Sequence, residues 1–258
     1  MLLVVNINNT NTSLGVYDGE RLVKDWRVAT VASRTVDEIG LLFCNLMALG
    51  GVDREQIDGV AAASVVPPVV PTWEEAIRRY LAVEPLWVGP GVKTGVPIRY
   101  ENPKEVGADR IVNAVATIAR WGTPAIAIDF GTATTFDAIS AQGEYLGGAI
   151  CPGLGIAADA LFSRTAKLPR VEFLRPEKVI GKTTVASIQA GLMYGTVGQV
   201  REITRRMAGE IGGRPKVIAT GGLAPVIAGD VPEIDAVDPH LTLEGLRLVW
   251  ERNARDAE

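Results

Sequence analysis

A chain of 258 residues with 26 basic and 30 acidic side chains has a formal charge of −4, and 47% of it is apolar. That is enough chain for a packed core, and charged residues, at 22%, are too few for intrinsic disorder. Mild acidity leaves no electrostatic footprint for nucleic acid or anionic membrane, so neither partner is expected.

The amino terminus predicts a strand through Val4, Val5 and Asn6, a polar turn, a second strand over 13–17 and a third over 22–26. Thr35 is placed to cap a helix carrying Ile39, Leu42 and Leu46. A buried strand over 60–64 leads to Pro67. Asn102-Pro103 gives a helix start, with Ile111, Val115 and Ile118 on one face. Strands follow over 127–130, 136–140 and 145–150, then a long helix over 184–207, a strand over 217–221 and a helix from about Thr242. Cys44 and Cys151 lack CxxC partners, and the single histidine, His240, follows Pro239; zinc, redox and Cys–His chemistry are set aside. The start has no basic segment followed by a long apolar one, and no apolar run reaches 18 residues. A soluble, cytoplasmic protein is expected.

The chain repeats itself. Residues 4–12 laid over 127–135 align strand, small-residue turn and strand, and residues 60–64 resemble 217–221. Two copies of a three-stranded meander, each followed by helices and a buried parallel strand, predict a duplicated α/β fold with lobes at 1–115 and 116–258. The two echoed turns expose N–H groups and hydroxyls in a form that suits a polyphosphate; either alone reads first as an ordinary hairpin, but two related ones in a duplicated fold favour the phosphate reading. Asp129 ends a buried strand, where an unpaired carboxylate is costly, so a cation or solvent is expected beside it. Gly221-Gly222 permits close approach of a flat ligand or simply makes a tight turn. Asp109 in Gly107-Ala108-Asp109-Arg110 reads as a helix-dipole aspartate or as a general base, with Arg110 as an anion clamp.

The order of Gly107-Ala108-Asp109-Arg110, Asp129-Phe130-Gly131-Thr132-Ala133-Thr134-Thr135, Pro152-Gly153-Leu154-Gly155 and Ala219-Thr220-Gly221-Gly222 resembles that of the type III pantothenate kinases over essentially the whole chain. The resemblance implies an actin-like ATPase fold of two ribonuclease-H-like lobes around a nucleotide cleft, and ATP-dependent phosphorylation of pantothenate, the first step towards coenzyme A. It implies Asp109 as the base and Tyr100, Gly107, Ala108, Arg110 and Thr184 as further pantothenate contacts. It places ATP on Asn6, Ile7, Asn8, Asn9, Thr10, Asn11, Thr12 and Ser13, with Thr132, Gly221 and Gly222. A divalent cation such as magnesium, a monovalent one (potassium or ammonium) on Asp129, and a homodimer complete the expectation.

The first loop departs from the family's Asp-x-Gly-Asn-Thr-Asn by Asn6 and Asn8. Asn8 is tolerable if its backbone is left-handed. Asn6 removes a charge worth up to about 4 kcal/mol per cation charge at close range. A catalytically impaired paralogue that binds nucleotide or pantothenate as a regulatory protein is therefore the alternative reading.

Overall fold

The structure, a computed structural model, describes residues 1–254. The chain opens with a meander of β1 (Leu2–Ile7), β2 (Asn11–Asp18) and β3 (Arg21–Ala29), followed by α1 (Val36–Gly50), β4 (Gly59–Ser64), α2 (Val70–Leu81) and β5 (Pro85–Trp87). After α3 (Ala108–Trp121) the pattern recurs as β6 (Ala125–Phe130), β7 (Ala133–Ile139) and β8 (Tyr145–Pro152). Then come α4 (Leu154–Arg164), α5 (Thr184–Ile211), β9 (Lys216–Thr220), α6 (Ala224–Ala228), β10 (Ala236–Val237) and α7 (Leu241–Ala254).

Both five-stranded sheets have one topology. The first runs β3-β2-β1-β4-β5 and the second β8-β7-β6-β9-β10, each antiparallel through its meander and parallel from the first meander strand onward. The central strands are near-continuous apolar runs because helices must cover both faces of a parallel sheet; all six residues of β1 are buried. Register tests the internal repeat directly. Asn6 pairs with Ser13 and Ala63, and Asp129 pairs with Thr135 and Thr220. The two residues are therefore equivalent, as are β4 and β9. One detail differs from the ungapped echo. Ile7 pairs with Thr12 whereas Phe130 pairs with Thr134, so the first turn is one residue longer and the repeat slips by one position there.

Contacts divide the chain into two compact units. One comprises Met1–Pro97, Glu101–Ala116 and the chain from His240 on; the other comprises Ile98–Tyr100 and Thr117–Pro239. The linear division at 115/116 falls beside this crossover within α3, but it put α7 in the second lobe, and α7 lies in the first unit. A Cβ on Gly245 would stand 2.0 Å from the Val112 carbonyl oxygen, and one on Gly59 would stand 2.3 Å from the Trp250 ring. Such close seating needs glycine on one side of each contact.

Local chemistry explains the boundaries. Thr35 caps α1 in a reciprocal box: its N–H donates to Glu38 Oε2 (2.7 Å) and Glu38 N–H donates to its hydroxyl (3.3 Å). Asn102-Pro103 starts only a 3-10 turn, Pro103–Glu105; Val106 then turns extended and α3 begins at Ala108. In the first unit Leu3, Val5, Ile7, Phe43 and Ile77 form the core, with Phe43 edge-on to Trp73 at 5.7 Å. In the second, Ile126, Ile128, Phe136, Met193 and Val200 do the same.

Candidate active site

The first unit gathers two of the expected groups at one end of its sheet. The loop after β1 closes with Asn8 N–H donating to Asn11 carbonyl oxygen at 3.1 Å, and Asn9 and Thr10 stand exposed at its tip. Thr12 is wholly buried and its hydroxyl shares a hydrogen bond with that of Thr30 at 2.9 Å. Val65, just past β4, donates its N–H to Ile7 carbonyl oxygen at 3.0 Å, and its methyl lies 3.7 Å from where a Gly107 Cβ would stand. Val65 thus ties the start of α3 to the end of β1.

There Gly107 ends the extended segment and its carbonyl accepts from Arg110 and Ile111 N–H. Asp109 follows in the first turn of α3, and its Oδ1 accepts from Arg110 N–H at 2.8 Å. A Cβ at Gly107 would lie 2.6 Å from that oxygen, so glycine is required for the carboxylate to fold back over the backbone. Burial pushes the Asp109 carboxyl above its ordinary range, opposed by the Arg110 N–H and guanidinium charge. A carboxylate so placed is a stronger base than a solvated one. Arg110 itself is buried.

Asn6 is 3% exposed, and both its Oδ1 and that of Asn8 are buried without a hydrogen-bond partner. An orphaned acceptor costs about 1–3 kcal/mol. Phosphate oxygens cannot relieve it, since they too only accept; a water molecule or a cation can. The residues therefore fit a divalent ion accompanying a polyphosphate. The left-handed backbone expected at Asn8 is not found, because among the described residues Ala82 alone of the non-glycines has positive φ.

The second unit builds the equivalent turn. Gly131 N–H donates to Ala133 carbonyl oxygen, and Gly153 N–H donates to Thr132 carbonyl oxygen, both at 3.1 Å. A Cβ on Gly153 would come within 2.3 Å of the Thr132 oxygen. Gly221, at φ +92°, crowds the same place: its Cβ would be 2.7 Å from Asp129 Oδ1 and 2.6 Å from Phe130 carbonyl oxygen. Asp129, Thr132 and Gly221 are thus brought together, with Gly222 exposed beyond them. In the sequence Gly153 stands out only as part of Pro152-Gly153-Leu154-Gly155, straight after a strand. Two expected contacts stand on other elements. Tyr100 packs on Gly147, at φ +125°, with its ring 6.5 Å from that of Tyr145, whose hydroxyl donates to buried Asp137 at 2.8 Å. Thr184 is the first residue of α5, after Thr183, whose hydroxyl accepts from Ala186 N–H at 3.1 Å.

Among the described residues no three His, Cys, Asp or Glu side chains group to hold a metal, and no helix is long and apolar enough to cross a membrane. The family model for type III pantothenate kinase matches residues 2–206. A type III pantothenate kinase of Anaeromyxobacter sp. (strain K) is 58% identical, with 98% of this chain and all of the relative covered. The Moorella thermoacetica protein of the same description is also 58% identical over the same shares. In fold, the chain resembles the activator of 2-hydroxyisocaproyl-CoA dehydratase from Clostridium difficile with bound ADPNP. That likeness has a TM-score of 0.53 at 11% identity, over 99% of this chain and 96% of the other.

Proposed function

From the premise that the chain belongs to the type III pantothenate kinase family, we propose how its own residues perform the reaction. The enzyme phosphorylates pantothenate with ATP at the entry to coenzyme A biosynthesis, on an actin-like two-lobed α/β fold. Asp109 is the base: it takes the proton from the pantothenate hydroxyl as that oxygen attacks the γ-phosphorus of ATP and the bond to ADP breaks. The observation that carries this assignment is the Asp109 carboxylate folded over Gly107, half-buried and raised in pKa, at the start of α3. Gly107, Ala108 and buried Arg110 line the same turn and serve pantothenate, with Tyr100 and Thr184 as its further contacts. The loop at residues 6–13, Thr132, Gly221 and Gly222 hold ATP. When a divalent cation is bound with ATP, it neutralises phosphate charge. Asn6 and Asn8 are the residues that would hold it, through their orphaned oxygens. Asp129 holds a monovalent cation such as potassium or ammonium.

The working unit is a cytoplasmic homodimer. Gly191, Gly195 and Gly198 support this reading: they share one exposed face of α5, and a Cβ at any of them would meet nothing within 4 Å. Glycine inside a helix costs roughly 1 kcal/mol against alanine, a cost that close approach of a second surface offsets. No observation favours the catalytically impaired reading.

The test is Asp109→Asn. Phosphoryl transfer falls by at least a hundredfold while pantothenate still binds in calorimetry. The variant also melts no lower than the parent at neutral pH. A carboxyl whose folded pKa is raised contributes stability only while protonated and loses it as pH rises through that pKa, so a neutral amide removes a cost present at pH 7. More than a tenth of parental turnover excludes Asp109 as the base.

A further inference from the structure

Asn8 stands where a backbone explanation fails. Its φ is not positive, so the position makes no demand for glycine or for a left-handed residue. Its side-chain oxygen is nevertheless buried and unpartnered, like that of Asn6 two residues earlier. Asn6 lies in the last pleat of β1 and Asn8 is the first residue past its end, so the two orphaned oxygens flank Ile7 where the strand enters the loop. Building on the kinase reading above, we propose that Asn6 and Asn8 form a neutral two-oxygen cradle for the divalent cation that accompanies ATP, in which Asn8 supplies the donor that no carboxylate at position 6 provides.

The chemistry of the donors supports this. Amide carbonyl oxygens are hard ligands, and magnesium keeps several waters while using one or two protein oxygens. Both oxygens are acceptors, so their match is a cation or a water molecule and not a phosphate oxygen. Neutral donors also impose an order that a carboxylate would not. They cannot balance a 2+ charge themselves, whereas the phosphates of the nucleotide can. The counter-charge must come from the nucleotide. Metal alone therefore fails to bind this loop, and metal and nucleotide enter together.

The experiment is calorimetric titration of a non-hydrolysable ATP analogue into the full chain over a magnesium series, with pantothenate absent so that turnover plays no part. In the natural Asn6 background, Asn8→Gly raises the magnesium concentration for half-maximal nucleotide binding about tenfold. Asn8→Asp, which restores a charge, lowers it. With Asn6→Asp in place, Asn8→Gly changes it less than twofold, since the carboxylate then carries the contact. Magnesium without nucleotide gives no binding heat with the parent protein. An unchanged magnesium dependence on removing the Asn8 oxygen, an equal loss in both backgrounds, or tight binding of magnesium alone overturns the cradle while leaving the kinase assignment standing. Failure of the parent to bind nucleotide at all overturns both. Should Asn8→Gly melt early, the opposite response of Asn8→Asp decides the matter.

Discussion

Asp109 is held between two opposing influences. Burial raises its pKa, while Arg110 lowers it through both its N–H and its charge. Substituting Arg110 by glutamine leaves the N–H and removes the charge. Because the base must be deprotonated to act, the acidic limb of kcat/KM lies above the ordinary aspartate range and moves to higher pH in Arg110→Gln. A limb that stays in place, measured from pH 4 to 8, separates Arg110 from the ionisation of Asp109. Residues of this kind were partly legible in sequence. Asp109 stood out because aspartate beside arginine at a helix start is chemically suggestive, but its alternative as a dipole partner differed only in three-dimensional placement. Gly107 carried no such signal, since its role depends on where the Asp109 oxygen lies, 2.6 Å from a Cβ that glycine lacks.

The elements show which patterns suffice. The cap at Thr35 and the apolar spacing of α5 are local, and local geometry delivered them as read, with Glu38 completing the box at Thr35. Helix α2 went unread because Pro67, Pro68 and Pro71 look like breakers, yet Pro67 and Pro68 form a 3-10 turn just before it and Pro71 lies in its first turn, where proline removes only an N–H that has no partner. The helix start at Pro103 failed for the opposite reason: a good start signal was spent on a single 3-10 turn, and extended Val106 cut it off. Helix α7 was read correctly and assigned to the wrong unit, because its partner surface is remote in sequence. Gly245 gives the measure of that surface. With the Val112 carbonyl oxygen only 2.0 Å from a new Cβ, and backbone rather than a flexible tip in the way, Gly245→Ala costs about 2–3 kcal/mol. The melting temperature drops by on the order of 5 °C or more. A drop under 1 °C would show that α7 is free to shift.

For the molecule, duplication was the strongest signal in the chain, because matching strand order and turn chemistry at two places constrain a whole topology. The one-residue slip between the two hairpins escaped it, since pairing register resides in hydrogen bonds and not in composition. Oligomeric state belongs to this scale too. Gly195→Arg places a bulky charge on the exposed glycine face of α5 while improving helix propensity by roughly 0.5–1 kcal/mol. Light scattering at micromolar concentration is expected to show a dimer for the parent and a monomer of undiminished thermal stability for the variant. A variant that remains dimeric moves the interface elsewhere.

The return of α7 to the first unit has a consequence for biogenesis. The ribosome releases β1 to β5 early, yet the helix that seats Trp250 on Gly59 and Gly245 on Val112 is made only after Thr117–Pro239. At about 5–20 residues per second, that interval lasts on the order of ten seconds. Throughout it the first sheet has one apolar flank open to water and to neighbouring nascent chains, whereas the second unit, continuous but for Ile98–Tyr100, has nearly all its partners in hand. The second-made unit is therefore the first to close. Chaperone occupancy on translating ribosomes should persist on the amino-terminal third until α7 emerges, and a chain stalled before His240 should lose the first unit to proteolysis while keeping much of the second.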